Sequence, residues 1–193
     1  MAKLRIDRIW DMPNADTMLV PSIRSFTLEY LAKSKVSVDP FARNCRLATY
    51  TNDLNPDTAA EYHMDAIEFL NMLRDRGVMV DLAIFDPPYS PRQISECYQH
   101  VGRAVTMEDT QGVGVWSHAR NALADIVQPG GVVLSYGWNS TGMGIKHRFM
   151  QERILLVSHS GAHNDTICVA ERRLPDDATL FGQPELLPND IDW

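Results

Sequence analysis

The sequence predicts an α/β protein built on a mostly parallel sheet with one antiparallel strand near the C-terminus. Three observations predict it. Two short apolar runs, residues 80–85 and 132–136, have the length and composition of strands buried on both faces. Segments with apolar residues at helical spacing alternate with such runs, which is the arrangement that builds parallel sheets. Two further β-rich runs, 154–158 and 166–170, flank Gly161-Ala162-His163-Asn164-Asp165, whose turn-forming residues close a hairpin.

Taken in order, the opening to Val20 reads as polar and irregular around Asp11-Met12-Pro13-Asn14. Pro21 suits the first turn of a helix, and Ile23, Phe26, Leu28, Tyr30 and Leu31 carry its apolar face to Ser34. A short strand over 36–38 stops at Asp39-Pro40, and a loop or short helix over 41–48 leads to a second strand at 49–51, which ends on Asn52-Asp53-Leu54-Asn55-Pro56. Ile67, Leu70 and Leu73 place a helix over 65–76, with Gly77 as its stop. The strand over 80–85 ends at Asp86. Pro91 opens a helix to Val101, and another over 116–127 is closed by Pro129-Gly130-Gly131 ahead of the strand over 132–136.

A chain of 193 residues, 45% hydrophobic and 22% charged, suffices for one globular domain with its own core. We place that domain at 1–173, followed by an acidic tail over 174–193. Five acidic residues and no Lys or Arg follow Arg173, so of the formal charge of −7 the body carries only about −2. This softens the objection that a negative protein does not bind a polyanion. The three cysteines, Cys45, Cys97 and Cys168, form no CxxC pair, and the N-terminus is unlike a signal peptide, so a cytoplasmic location is expected, that of the host if a phage encodes it. No apolar run approaches the roughly 20 residues of a membrane span.

In parallel sheets ligands bind beyond the carboxyl ends of the strands. Asp39, Asp53 and Asp86 each stand at such an end, either as turn formers or as carboxylates gathered round one crevice. The neighbours of Asp86 are the most unusual. In Asp86-Pro87-Pro88-Tyr89, two prolines remove two backbone donors and fix two φ angles. The resulting rigid loop displays a carboxylate, carbonyls and an aromatic face. Two acceptors, the Asp86 carboxylate and the Pro87 carbonyl, suit the hydrogens of an amino group whose lone pair must be freed from a ring, and Tyr89 can stack on a base taken out of its helix.

Asp86-Pro87-Pro88-Tyr89 resembles the fourth motif of the amino-methyltransferases of nucleic acid, Asp/Asn/Ser-Pro-Pro-Tyr/Phe/Trp. With Asp39-Pro40-Phe41-Ala42, Thr51-Asn52-Asp53-Leu54-Asn55-Pro56 and the continuation Ser90-Pro91-Arg92-Gln93, the chain looks like the small phage-type N6-adenine enzymes over 17–173. The resemblance implies a Rossmann-like class I methyltransferase sheet, S-adenosylmethionine as cofactor and DNA as partner, with the N6 amino group of adenine as target and low sequence selectivity. RNA adenine and cytosine N4 are the alternative targets, a glutamine amide a more distant one, and a catalytically degenerate subunit that binds nucleic acid or protein is the reading from another class. Carried over, Asp39, Pro40, Phe41 and Ala42 face the methionine part of the cofactor, Asp53 the ribose hydroxyls, and Asp65 and Ala66 the adenine. Thr17 and the helix from Pro21 to Phe26 complete the methionine pocket. Catalysis falls to Asp86, Pro87 and Tyr89.

Two departures stand out. The family's first motif usually continues Phe-x-Gly-x-Gly, whereas this chain has Phe41-Ala42-Arg43-Asn44-Cys45, and Asn44 is the residue expected to take over the left-handed turn. Between the motifs there is no room for a separate target-recognition domain, so selectivity is expected to be low or to come from a second copy or a partner subunit. Pro88, Ser90, Arg92 and Trp138 are candidates for contacting the target, with a solvated arginine and a packed aromatic as the plain alternatives for the last two. His159, His163 and Asp165 lack the further ligands of a metal site, and none is assigned. The loop Gly142-Met143-Gly144 with Lys146-His147-Arg148 reads as flexible and substrate-facing.

Overall fold

The computed structural model describes residues 3–88, 116–161 and 163–178. Its centre is a seven-stranded sheet with the order β1-β6-β7-β5-β4-β2-β3. The strands are β1 (Arg5–Trp10), β2 (Ser37–Asp39), β3 (Tyr50–Thr51), β4 (Val80–Phe85), β5 (Val127–Gly137), β6 (Phe149–Ser158) and β7 (Thr166–Arg173). Every pairing is parallel except the two made by β7, which runs antiparallel to β5 and β6. The carboxyl ends of β1 to β6 and the start of β7 therefore share one edge.

Three α-helices cover the sheet among the described residues: α1 (Pro21–Leu31), α2 (Ala66–Asp75) and α3 (Ser117–Ile126). The alternation of β4 and β5 explains why both faces need cover. Leu82, Ile84, Val132 and Leu134 join Ile23 and Phe26 of α1 in one apolar cluster. Ala83, Phe85 and Val133 meet Phe69, Leu70 and Leu73 of α2 and Leu123 and Ile126 of α3 in the other. Each fully buried large side chain contributes about 1.5–3 kcal/mol, so these clusters fix the sheet in place. The end of α2 follows from its sequence. Gly77 takes φ 71°, and the Gly77 and Val78 N–H groups donate back to the Arg74 and Leu73 carbonyls at 2.8 and 3.0 Å, a Schellman stop.

The structure corrects several expectations. The opening segment holds β1, an edge strand paired with β6 from Arg5 opposite Arg153 to Trp10 opposite Ser158. Five of its six residues are exposed, so it carries no strand-like burial pattern. Of the two readings open for residues 41–48, a loop or a short helix, the structure has the loop. The strand expected over 132–136 begins at Val127, directly after α3, and a register shift between the Val80 and Leu82 pairings absorbs Pro129-Gly130-Gly131. Both hairpin strands are longer than expected. The helix expected over 91–101 and the tail beyond residue 178 lie outside the described residues. No described helix is long and apolar enough to cross a membrane.

The loop 142–148 is not substrate-facing. The Met143 and Gly144 N–H groups donate to the buried carboxylate of Glu171 at 2.5 and 2.9 Å, and Met143 is itself buried. Lys146-His147-Arg148 immediately precedes β6, which places it at the sheet edge opposite Asp86. There the Arg148 guanidinium donates to the carbonyls of Pro175, Asp176 and Ala178.

Candidate functional site

At the shared edge lies a crevice of about 890 Å³. The strand order dictates what lines it. From one side to the other come Asn52 and Asp53 beyond β3, Pro40 and Phe41 beyond β2, Asp86, Pro87 and Pro88 beyond β4, Trp138 beyond β5, Thr166 opening β7 and His159 beyond β6. Asp65 and Ala66 reach it from the start of α2, and residues 13–17, with Val20 and Ile23, form a further wall. The strand ends thus bring Pro40, Phe41, Asp53, Asp65, Ala66, Asp86, Pro87, Pro88 and Trp138 into one cavity. Asp39 and Ala42 are buried behind its lining. Tyr89, Ser90 and Arg92 lie outside the described residues.

Each acidic residue also has a local structural task. The Asp39 Oδ1 accepts the Phe41 N–H at 3.0 Å, which turns the chain into Pro40-Phe41. Burial pushes the Asp39 carboxyl well above the usual carboxylate range; the Phe41 hydrogen bond opposes this, and the nearby Asp86 and Asp53 reinforce it. Asp53 accepts the Asn55 N–H on Oδ1 at 2.9 Å and the Arg43 N–H on Oδ2 at 3.0 Å, so both oxygens are held rigidly and keep lone pairs for further donors. The Asp65 Oδ1 caps α2 through the Ile67 N–H at 2.9 Å.

Asn52 joins these pieces. Fully buried, it donates from Nδ2 to the Pro40 and Met64 carbonyls at 3.1 and 3.0 Å, and its Oδ1 accepts the Met64 N–H at 3.1 Å. The loop after β2 and the segment leading into α2 are thereby tied to one side chain. The left-handed residue in the first of these loops is Arg43, at φ 49°, and not Asn44. The Asn44 side chain instead accepts the Ala59 N–H at 3.0 Å.

An aromatic cluster supports the Asp86 loop from below. Phe41 meets Phe85 and Trp116 edge-on at centroid distances of 5.7 and 5.2 Å. The Trp116 Nε1–H donates to the Pro88 carbonyl at 3.3 Å, which ties the loop after β4 to the start of α3. Trp138, beyond β5, is 46% exposed and so is a wall of the cavity, not a packed core aromatic. At the far end His159 is buried between the Asp11 carbonyl and the Thr166 hydroxyl, each at 2.9 Å from a ring nitrogen. Because a carbonyl only accepts, Nδ1 carries a proton. Among the described residues no group of three or more His, Cys, Asp or Glu could hold a metal ion.

Sequence reasoning missed Arg43, Asn52, Trp116 and Thr166. Only Arg43 left a signal, as a bulky residue at a position where glycine is usual.

No protein-family model matches the chain, and no curated protein matches it in sequence. Solved structures do share its architecture. SMU.776, complexed with SAH, superposes with a TM-score of 0.52 at 13% identity over 77% of this chain and 48% of its own. yhhF of Escherichia coli gives 0.53 at 12% identity over 84% and 90%. The N-methyltransferase NodS of Bradyrhizobium japonicum WM9 gives 0.52 at 10% identity over 79% and 94%. The chain thus spans about half the length of SMU.776 and most of the other two. At these identities the likeness establishes the fold: a Rossmann-like class I methyltransferase sheet, mostly parallel with an antiparallel strand in its C-terminal hairpin.

Proposed function

We propose that the chain is an S-adenosylmethionine-dependent methyltransferase that acts on the N6 amino group of adenine in DNA. The observation that carries this reading is the position of Asp86-Pro87-Pro88, at the end of central strand β4, in the same crevice as Asp53, Asp65 and the Pro40-Phe41 turn. The presence of an N-methyltransferase among the proteins of like fold supports it.

The residues fit the cofactor. The crevice has room for a nucleoside with an amino-acid arm, and Asp53 is held as a rigid acceptor suited to two ribose hydroxyls. Asp65 and Ala66 stand on the same side for the adenine ring, and the turn at Pro40-Phe41 with Thr17 faces the amino-acid arm. The cofactor supplies a methyl carbon made electrophilic by its attachment to a sulfonium.

The protein prepares the nitrogen that receives that carbon. An adenine amino group donates its lone pair to the ring, so it attacks only when its two hydrogens are drawn out of the ring plane. The Asp86 carboxylate and the Pro87 carbonyl are the acceptors for those hydrogens, fixed in advance by two proline rings and by the bond from Trp116 to Pro88. The nitrogen must lose one proton on methylation, and the Asp86 carboxylate would be the group to accept it and pass it to solvent. Trp138 walls the base, and Tyr89, next in the chain, supplies the stacking face.

Nucleoside mass spectrometry after incubation with isotope-labelled cofactor and either duplex DNA or RNA of the same sequence tests the reading. Labelled N6-methyldeoxyadenosine is expected. Label in RNA alone moves the target to RNA, and label in neither, with the cofactor bound, leaves a binding subunit.

A further inference from the structure

We propose that Arg43 binds the carboxylate on the amino-acid arm of S-adenosylmethionine; this rests on the cofactor assignment above. The backbone at this position disfavours arginine. The backbone has φ 49°, a region where a Cβ crowds the following carbonyl and which glycine enters freely. A residue held there against its own preference points to a task for its side chain. The conformation is fixed from both directions: the Ala42 N–H donates to the Asn52 carbonyl at 2.8 Å, and the Arg43 N–H to Asp53 Oδ2 at 3.0 Å.

The side chain reaches across the crevice wall. Its Nη1 donates to the Ala15 carbonyl at 2.9 Å, in the segment that leads to Thr17 and α1. That bond takes one of the five donors of a guanidinium and aims the planar group along the wall shared by the Pro40-Phe41 turn and residues 13–17. This is the end of the crevice assigned to the amino-acid arm.

Charge then selects the ligand group. Among the described residues that line the crevice, Asp53, Asp57, Asp65 and Asp86 are acidic and Arg43 is the only Lys or Arg. The cofactor carries a sulfonium and an ammonium, which the aspartates favour, and one carboxylate, which they oppose. Arg43 is the lining residue that offers this carboxylate a charged, two-pronged partner. In the glycine-containing pattern that the first motif resembles, close backbone approach is the contribution of this position. Here a guanidinium replaces it.

The test compares two ligands that share a nucleoside and a thioether but differ in the amino-acid arm: S-adenosylhomocysteine, which carries the carboxylate and the ammonium, and 5′-methylthioadenosine, which carries neither. Isothermal titration of the wild-type chain, Arg43→Gly, Arg43→Gln and Arg43→Lys is read, with circular dichroism to confirm folding. Arg43→Gly and Arg43→Gln should weaken S-adenosylhomocysteine by about 10-fold or more while shifting methylthioadenosine by less than about twofold, the size of a lost charge-assisted pair. Arg43→Lys, which keeps the charge without the fork, should fall between. Unchanged S-adenosylhomocysteine binding in both neutral variants overturns the proposal, as does an equal loss for both ligands. A wild-type chain that binds neither ligand removes the cofactor assignment and this inference with it.

Discussion

Replacing Asn52 with alanine should cost more stability than any exposed substitution in the chain. Its amide meets the Pro40 carbonyl, the Met64 carbonyl and the Met64 N–H at 3.0–3.1 Å with no exposure of the residue to water. Asn52→Ala leaves three main-chain groups without that partner, the Pro40 carbonyl buried and the two Met64 groups part-buried, and a buried group so stranded costs about 1–3 kcal/mol. Some relaxation and water entry will recover part of this, so the expected loss is about 3–5 kcal/mol, a large share of the roughly 5–15 kcal/mol that holds a domain folded. In urea, with a slope of about 2 kcal/mol per molar, the unfolding midpoint should drop by roughly 1.5–2.5 M. Asn52→Asp is a sharper control because it preserves shape and replaces the Nδ2 donor with an acceptor facing two carbonyls. It should be no better tolerated than alanine. A midpoint shift below about 0.5 M for Asn52→Ala, or an aspartate variant as stable as the wild type, would refute this reasoning.

Asp39 gives a pH-dependent expectation. Its carboxyl is raised in the folded state chiefly by burial, so the stability it contributes is full below its ordinary value of 3.8 and is lost as pH rises through the folded value. Asp39→Asn keeps an acceptor for the Phe41 N–H and removes the ionisation; urea midpoints should favour the variant at pH 8, with the gap closing toward pH 4. A gap of the opposite sign, or one independent of pH, would contradict the burial argument. Gly142→Ala should be strongly destabilising, because its Cβ would stand 2.0 Å from Glu171 Oε2 at a φ of +56°. Thermal unfolding at the wild-type temperature would show that the contact between loop 142–144 and Glu171 does not matter.

The parts of the fold that the sequence revealed are those whose signal is burial. β4 and β5 read as apolar runs because helices cover both their faces, and α2 announced itself through Leu70, Leu73 and the stop at Gly77. β1 was illegible for the opposite reason. It exists by pairing with β6, and its charges are spent laterally, with Asp7 accepting from Arg153 at 3.0 Å and Arg153 in turn reaching Glu29. The Asp53 and Asp86 positions followed from the rule that parallel strands present their carboxyl ends to a ligand. The site's support did not follow, because it is long-range. His159 finds Asp11 across 148 residues, Trp116 finds Pro88 across 28, and an asparagine destined for burial looks in sequence like any turn residue.

The claim at the centre is that the Asp86 carboxylate faces the target amino group and not the cofactor. Asp86→Ala, folded by circular dichroism, should bind S-adenosylhomocysteine with an affinity close to that of the wild type. Under single-turnover conditions with labelled cofactor and duplex DNA, it should lose methyl transfer by about 10²–10³-fold or more, the scale of removing one preorganised partner from a transition state. Transfer at the wild-type rate by this variant, or loss of cofactor binding in step with loss of transfer, would contradict the account.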